Sequence, residues 1–267
     1  MKRILSLCAL VALVATPAFA QATYDRTPGQ TLRYSLETDM TTSAISPQFE
    51  QNADVESDGI IAINFSEADT VRATFEKYNI VADMGGNKQE LDLLTMMSGD
   101  FTFTMGDDGA VDVLATPTMT GQIQLPGGNV AQQFDNFFLP LPAEDLNEGT
   151  TWSTKKENTP QDGVTSTVEA TYTVRGTDTK AGMNVLVIEV DATSKIDGET
   201  EQQGMSIVIG MNGTQTGEYY YSVEKGIMVG ADITQKMKGG QDMEGNGQSM
   251  AIDIDMSGTN RTMLITE

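Results

Sequence analysis

Apolar and polar residues alternate with a period of two along most of this 267-residue chain. Leu32, Tyr34 and Leu36 stand between polar neighbours, as do Ile61, Ile63 and Phe65, and then Val71, Ala73 and Phe75. Past the middle come Val168, Ala170, Tyr172 and Val174, then Leu186, Ile188 and Val190, then Met205, Ile207, Ile209 and Met211. Near the end Ile252, Ile254 and Met256 alternate with Asp253 and Asp255. Successive side chains of a strand point to opposite faces, so this pattern predicts strands buried on one side. Turn-forming residues link the runs: Ser66-Glu67-Ala68-Asp69, Gly106-Asp107-Asp108-Gly109, Asp197-Gly198, Asn212-Gly213 and Gly245-Asn246-Gly247. Consecutive strands with short links make a large antiparallel meander.

Two segments break the alternation. From Lys88 to Met97, Asn87 and Glu90 have the spacing of a capping box, and Leu91, Leu94 and Met97 share one helical face. From Val130 to Phe138, Asn129 can cap, Val130, Phe134, Phe137 and Phe138 form one stripe, and Pro140 ends the run. Both predict short helices. The segments starting at Phe101 and Glu218 both read as aromatic strand, glycine-bearing charged turn and aliphatic strand, which suggests a duplication with halves about 30–145 and 146–267.

The first 20 residues differ from the rest. Lys2 and Arg3 precede an apolar stretch from Ile4 to Ala15, and Ala18-Phe19-Ala20 has the A-x-A form of a cleavage site. This predicts a secretory signal peptide cut after Ala20, and a mature protein in the periplasm or outside the cell. The apolar run is too short for a membrane span, which needs about 20 residues. Cys8 lies inside it behind Leu7, not behind the small residue that lipidation wants. The rest, residues 21–267, reads as a single β-rich domain.

Composition then removes chemistries. There is no histidine, and Cys8 is the only cysteine. Ser-His-Asp and Cys-His catalysis are therefore excluded, and zinc and soft-metal sites lose their usual ligands. No cofactor motif is present. The expectation is a protein that is not an enzyme. The rival is a carboxylate-dependent glycosidase, with Asp253 and Asp255 on one strand face, although the plainer reading of that pair is a solvated strand face. Calcium needs only oxygen ligands, and Asp242, Glu244, Asn246 and Asp253 loosely follow the spacing of a calcium loop. The plainer reading is a polar hairpin tip. The 38 acidic residues outnumber 16 basic ones, for a formal net charge of −22. Such a surface repels nucleic acid and anionic lipid headgroups.

The short motifs LNEGTTW (Leu146–Trp152), GEYYYSVEKGIMVGADI (Gly217–Ile233) and FFLPLP (from Phe137) come in the order leader, meander, helix, meander. In this the chain resembles uncharacterised bacterial exported families, domains of unknown function with a lipoprotein-carrier-like (LolA-like or LppX-like) fold. The resemblance implies one mainly β antiparallel sheet, curled as an unclosed barrel, with the two short helices on its concave side. It carries no functional residue across. The concave hollow, the 16 methionines and the Phe134, Phe137, Phe138 stripe as a lid give the functional expectation. It is a soluble cell-envelope protein that binds or carries an apolar small molecule or lipid, since soft methionines suit an adaptable apolar cavity. The alternative is a structural or protein-interaction module with a solid core.

Overall fold

The structure is a computed structural model, which describes residues 22–66, 70–120, 137–161, 163–202, 205–245 and 248–266. Among them are β1 (Thr31–Ile45), β2 (Glu50–Phe65), β3 (Thr70–Met84), β4 (Asn87–Asp92), β5 (Met97–Ser98), β6 (Phe101–Met105) and β7 (Val111–Ala115). They are followed by β8 (Thr118–Met119), β9 (Thr151–Gln161), β10 (Val164–Lys180), β11 (Met183–Gln202), β12 (Met205–Ser222), β13 (Ile227–Gly245) and β14 (Gln248–Leu264). One antiparallel sheet runs β7-β6-β3-β2-β1-β14-β13-β12-β11-β10-β9, with β4 attached to β3. β5 and β8 form a separate pair. The meander read from the alternation is present, and the sheet is not closed: β7 and β9 are its edges.

The two helices are not. Among the described residues the one helical element is a single 3-10 turn, Leu93–Thr95, capped by Asp92, whose carboxylate accepts from the Leu94 N–H. The segment read as helix from Lys88 is strand β4, with Leu91 opposite Ile80 and Asn87 opposite Met84. Gly85 and Gly86 both have positive φ, 63° and 90°. That is what a two-residue hairpin turn with the twist of β-strands requires. The turn folds Asn87 back on Met84, and ladder pairing overrides a helical spacing that has only three apolar contacts behind it. Of the segment read as a second helix, Val130–Asn136 lies outside the described residues, while Phe137 and Phe138 fall in a turn and bend. Two of the turn signals also sit elsewhere. Asp197-Gly198 is inside β11 and Asn212-Gly213 inside β12, each paired on both sides.

The sheet curls tightly around its core. From β6 to β9 there are nine inter-strand steps, which in a flat sheet would come to roughly 43 Å at about 4.8 Å each. Yet Phe138 packs on Phe103 of β6 with ring centroids 6.1 Å apart, and Pro140 accepts a hydrogen bond from the Trp152 indole of β9 at 2.9 Å. Two residues span at most about 7 Å. Both edge regions must therefore bend in toward the same short segment. Glycines on the inner face allow that bend. A Cβ at Gly217 would collide with the Asp232 carbonyl on β13, and one at Gly258 with the Asp39 carbonyl on β1.

Residues 137–146 plug one end of the curl, where the helices were expected. Phe138, Leu139, Leu141 and Leu146 are buried. The N-terminal segment straps over them: the Tyr24 N–H donates to the Asp107 carbonyl at 2.9 Å, and the Asp25 N–H to that of Gly226 at 2.7 Å. Three tyrosine hydroxyls fasten the same end. Tyr24 donates to the Leu139 carbonyl at 3.0 Å, Tyr34 to Met228 at 2.8 Å and Tyr221 to Thr23 at 2.6 Å.

Burial pushes the phenols of Tyr24, Tyr34, Tyr219 and Tyr221 well above the ordinary value of 10.0. Above that pH the folded chain keeps protons that the unfolded chain releases, so stability falls as pH rises past about 10. Tyr172 and Tyr220 are shifted in the same direction, so we expect phenolate absorbance at 295 nm to appear mostly above the ordinary phenol range, together with loss of the β-sheet signal in circular dichroism. Complete reversible ionisation near pH 10 with the sheet intact would contradict this packing.

Candidate functional site

The register sorts side chains into two faces. Directly paired residues share a face, and the face alternates along each strand. Starting from the buried Tyr34, the ladder places Leu36, Thr38, Met40, Thr42 and Ala44 of β1 on one face with Leu264, Thr262, Asn260, Gly258, Met256 and Ile254 of β14. The next steps add Ala231, Ile233, Gln235, Met237, Gly239, Gln241 and Met243 of β13, then Tyr219, Gly217, Gln215, Gly213, Met211, Ile209 and Ile207 of β12. Following the pairs outward to β3 and β9 adds no Asp and no Glu. Lys156 of β9 is the one charged residue among the described positions of this inner face. The acidic residues of these strands all project outward, where many are paired. Arg261 donates to Asp232 at 2.6 Å, Lys238 meets Asp255 at 2.7 Å, and Lys155 meets Glu169 at 2.8 Å.

The inner face divides along the strands. At the plugged end it is packed solid: Tyr34, Ile61, Ile63, Phe101, Phe103, Val174, Ile188 and Tyr221 have almost no exposure. Trp152 stacks on Tyr172 at 5.3 Å, beside Tyr219. Beyond that core the strands run on by another seven to ten residues. There the inner residues Ile209, Met237, Met243, Met250, Ile252, Ile254 and Met256 are only half-buried, although Met40, Val55 and Met211 between them are buried. On β12, β13 and β14 this open half is an uncharged, methionine- and isoleucine-rich surface that suits hydrocarbon, while Lys156 of the edge strand β9 lies in the same row as Met237 and Met256. A belt of uncharged polar groups separates it from the core. Thr38 lies between Ser57 and Asn260 and donates to the Asn260 Oδ1 at 2.9 Å, and Gln235 faces Gln215.

The residues singled out in the sequence are dispersed over this frame. Phe134 lies outside the described residues. Phe138 is buried against Tyr24 and Phe103, and Phe137 sits edge-on to Tyr34 at 5.4 Å. Both belong to the plug. Asp253 and Asp255 are on the outer face, away from the inner aromatic group of Trp152, Tyr172 and Tyr219. Of the calcium candidates, Asp242 and Glu244 continue strand β13, Asp253 stands on β14 across from Gly240, and Asn246 lies outside the described residues. Among the described residues no three carboxylates come together in a way that could hold a metal ion. Two surface clefts are polar. One of about 640 Å³ lies beside the N-terminal strap between Arg26, Asp107 and Lys225, and one of about 760 Å³ lies along Lys155, Glu169, Arg175, Glu189 and Asp191.

The uncharged face as a whole was missed in the sequence. Its signal was present as alternation in Ile252-Asp253-Ile254-Asp255-Met256, but its extent depends on the register across nine strands. No helix among the described residues is long and apolar enough to cross a membrane.

Comparison with known proteins supports the frame. Lipovitellin, whose structure was determined for its lipid–protein interactions, is matched over 91% of this chain at 11% identity with a TM-score of 0.50. The chain spans only 26% of lipovitellin's length. OccK5 of Pseudomonas aeruginosa is matched over 89% of this chain at 7% identity, with a TM-score of 0.27 that carries no argument. No curated protein matches the sequence. The lipoprotein-carrier fold implied by the short motifs is not shown by these likenesses. What they establish is that this chain has a large sheet similar in fold to part of lipovitellin, and that residues 124–228 match the model of a family of unknown function, DUF6263.

Proposed function

We propose that this protein binds an apolar, acyl-chain-bearing ligand on the open half of its inner sheet face, as an exported, non-catalytic protein of the cell envelope. The observation that carries this reading is the segregation of charge. A chain with 38 acidic residues keeps every one on these strands off one face, and then leaves half of that face uncovered by its own described residues. Partly exposed isoleucine and methionine gathered on one surface are a liability in water unless a ligand covers them. The fold likeness to lipovitellin supports the same reading, since that protein was studied for its lipid contacts. Export follows from the leader.

Protein recovered from the periplasm or medium is expected to begin at Gln21 by intact mass, and to release acyl lipid on organic extraction followed by mass spectrometry. After delipidation it should raise the fluorescence of N-phenyl-1-naphthylamine. Protein that releases no lipid and leaves the dye dark would overturn the binding reading.

A further inference from the structure

The proposed binding face also carries information about its ligand's headgroup, an inference that rests on the reading above. We infer that the ligand is a neutral amphiphile, one acyl chain joined to an uncharged hydroxyl- or amide-bearing head, with the head on the polar belt and the chain on the methionine–isoleucine surface.

Three features lead to this. First, among the described residues no cation stands beside the belt amides, and the one on this face, Lys156, is three strands away from Gln215. Lys156 is on the edge strand β9, beside Val168 of β10, and already has an interaction of its own. A carboxylate or phosphate on this face would leave water without a counter-charge, in the field of a chain with net charge −22, and uncompensated charge in apolar surroundings is costly. A cationic head would likewise find no carboxylate among the described residues of the face.

Second, pure hydrocarbon fits no better. Seated across the face it would dry out the amides of Gln215, Gln235 and Asn260 without replacing their hydrogen bonds to water. Covering polar groups in this way, with no partner supplied, weakens binding. Thr42 Oγ1, on the same face beside Met256, is buried with no hydrogen-bond partner among the described residues. Uncharged donors and acceptors therefore border the apolar surface, with Thr42 and Gln241 standing inside it. A hydroxyl or amide satisfies them without bringing a charge.

Third, the face is long enough for an acyl chain. From Gly258 to Met250 the inner face of β14 extends eight residues, or roughly 27 Å at about 3.4 Å each. An acyl chain that fills one leaflet, half of a hydrocarbon core about 30 Å thick, takes up about 15 Å of that. The surface has room for such a chain beyond the belt.

Competition on the delipidated full-length protein tests this, with N-phenyl-1-naphthylamine bound and dodecanoylglycerol, dodecanoate and dodecane as displacers at pH 8. Dodecanoylglycerol is expected to displace the dye at concentrations at least about tenfold below either of the others, the factor that one unpaired polar group accounts for. Dodecanoate as effective as the glyceride overturns the inference, and loss of its binding in Lys156→Gln would show where its head goes. Dodecane as effective as the glyceride also overturns it. Both outcomes leave apolar binding standing, whereas a dye that never binds defeats the binding reading itself. In the paired variant Gln215→Leu with Gln235→Leu, the preference for the glyceride should vanish while dodecane binds at least as well. A preference that survives in that variant, folded by circular dichroism, removes the belt as the head site. If the variant does not fold, the order of displacement on the native protein decides.

Discussion

Replacing Phe103 with alanine is expected to lower the free energy of unfolding by about 3–5 kcal/mol, the range for emptying a fully buried aromatic site. Phe103 has no exposure, and its ring meets Phe138 of the plug. It also stands between Val71 and Val113 on the neighbouring strands. Few neighbours can relax into the space, because the plug is held from both edges and by the N-terminal strap. Met256→Ala on the same face should cost far less, on the order of 1 kcal/mol, because that side chain is only half-buried. Urea unfolding of both variants measures the contrast. Equal losses would mean that stability is spread evenly along the strands, and that the open half is packed core after all.

That contrast marks how far the sequence could be read. Alternation alone showed a mostly β chain and a long antiparallel meander, because a period of two survives whatever the strands pair with. Segments with competing local signals went wrong. Asn87, Glu90, Leu91 and Leu94 have helical spacing, but Gly85-Gly86 just before them forms a two-residue hairpin that turns the chain back along β3. Asp197-Gly198 and Asn212-Gly213 have the composition of hairpin turns, yet β11 and β12 pass straight through them. A register fixed over 17 paired positions outweighs two turn-forming residues. The missing charge on the inner face was hardest to see. Any one strand shows only that its apolar and acidic residues alternate. That nine strands point their acids the same way follows from the pairing of distant segments, above all of β1 with β14.

A charge placed on the inner face should therefore separate binding from folding. Ile254→Asp puts a carboxylate between Ala44 and Gly239, in the middle of the open half. Ile254 is half-buried in the free protein, so the aspartate can remain hydrated and stability should change by no more than about 1 kcal/mol. With an acyl chain seated, that carboxylate would be covered without a counter-ion. Dye and lipid affinity should fall by at least about a hundredfold, a modest share of what burying an unpaired charge costs. Ser257→Asp is the matched control. Ser257 lies three residues along the same strand, exposed on the outer face between Thr41 and Lys236, and the same added charge there should leave affinity unchanged. Equal loss from both variants would trace the effect to net charge, not to the face. No loss from Ile254→Asp would place the ligand elsewhere on the molecule.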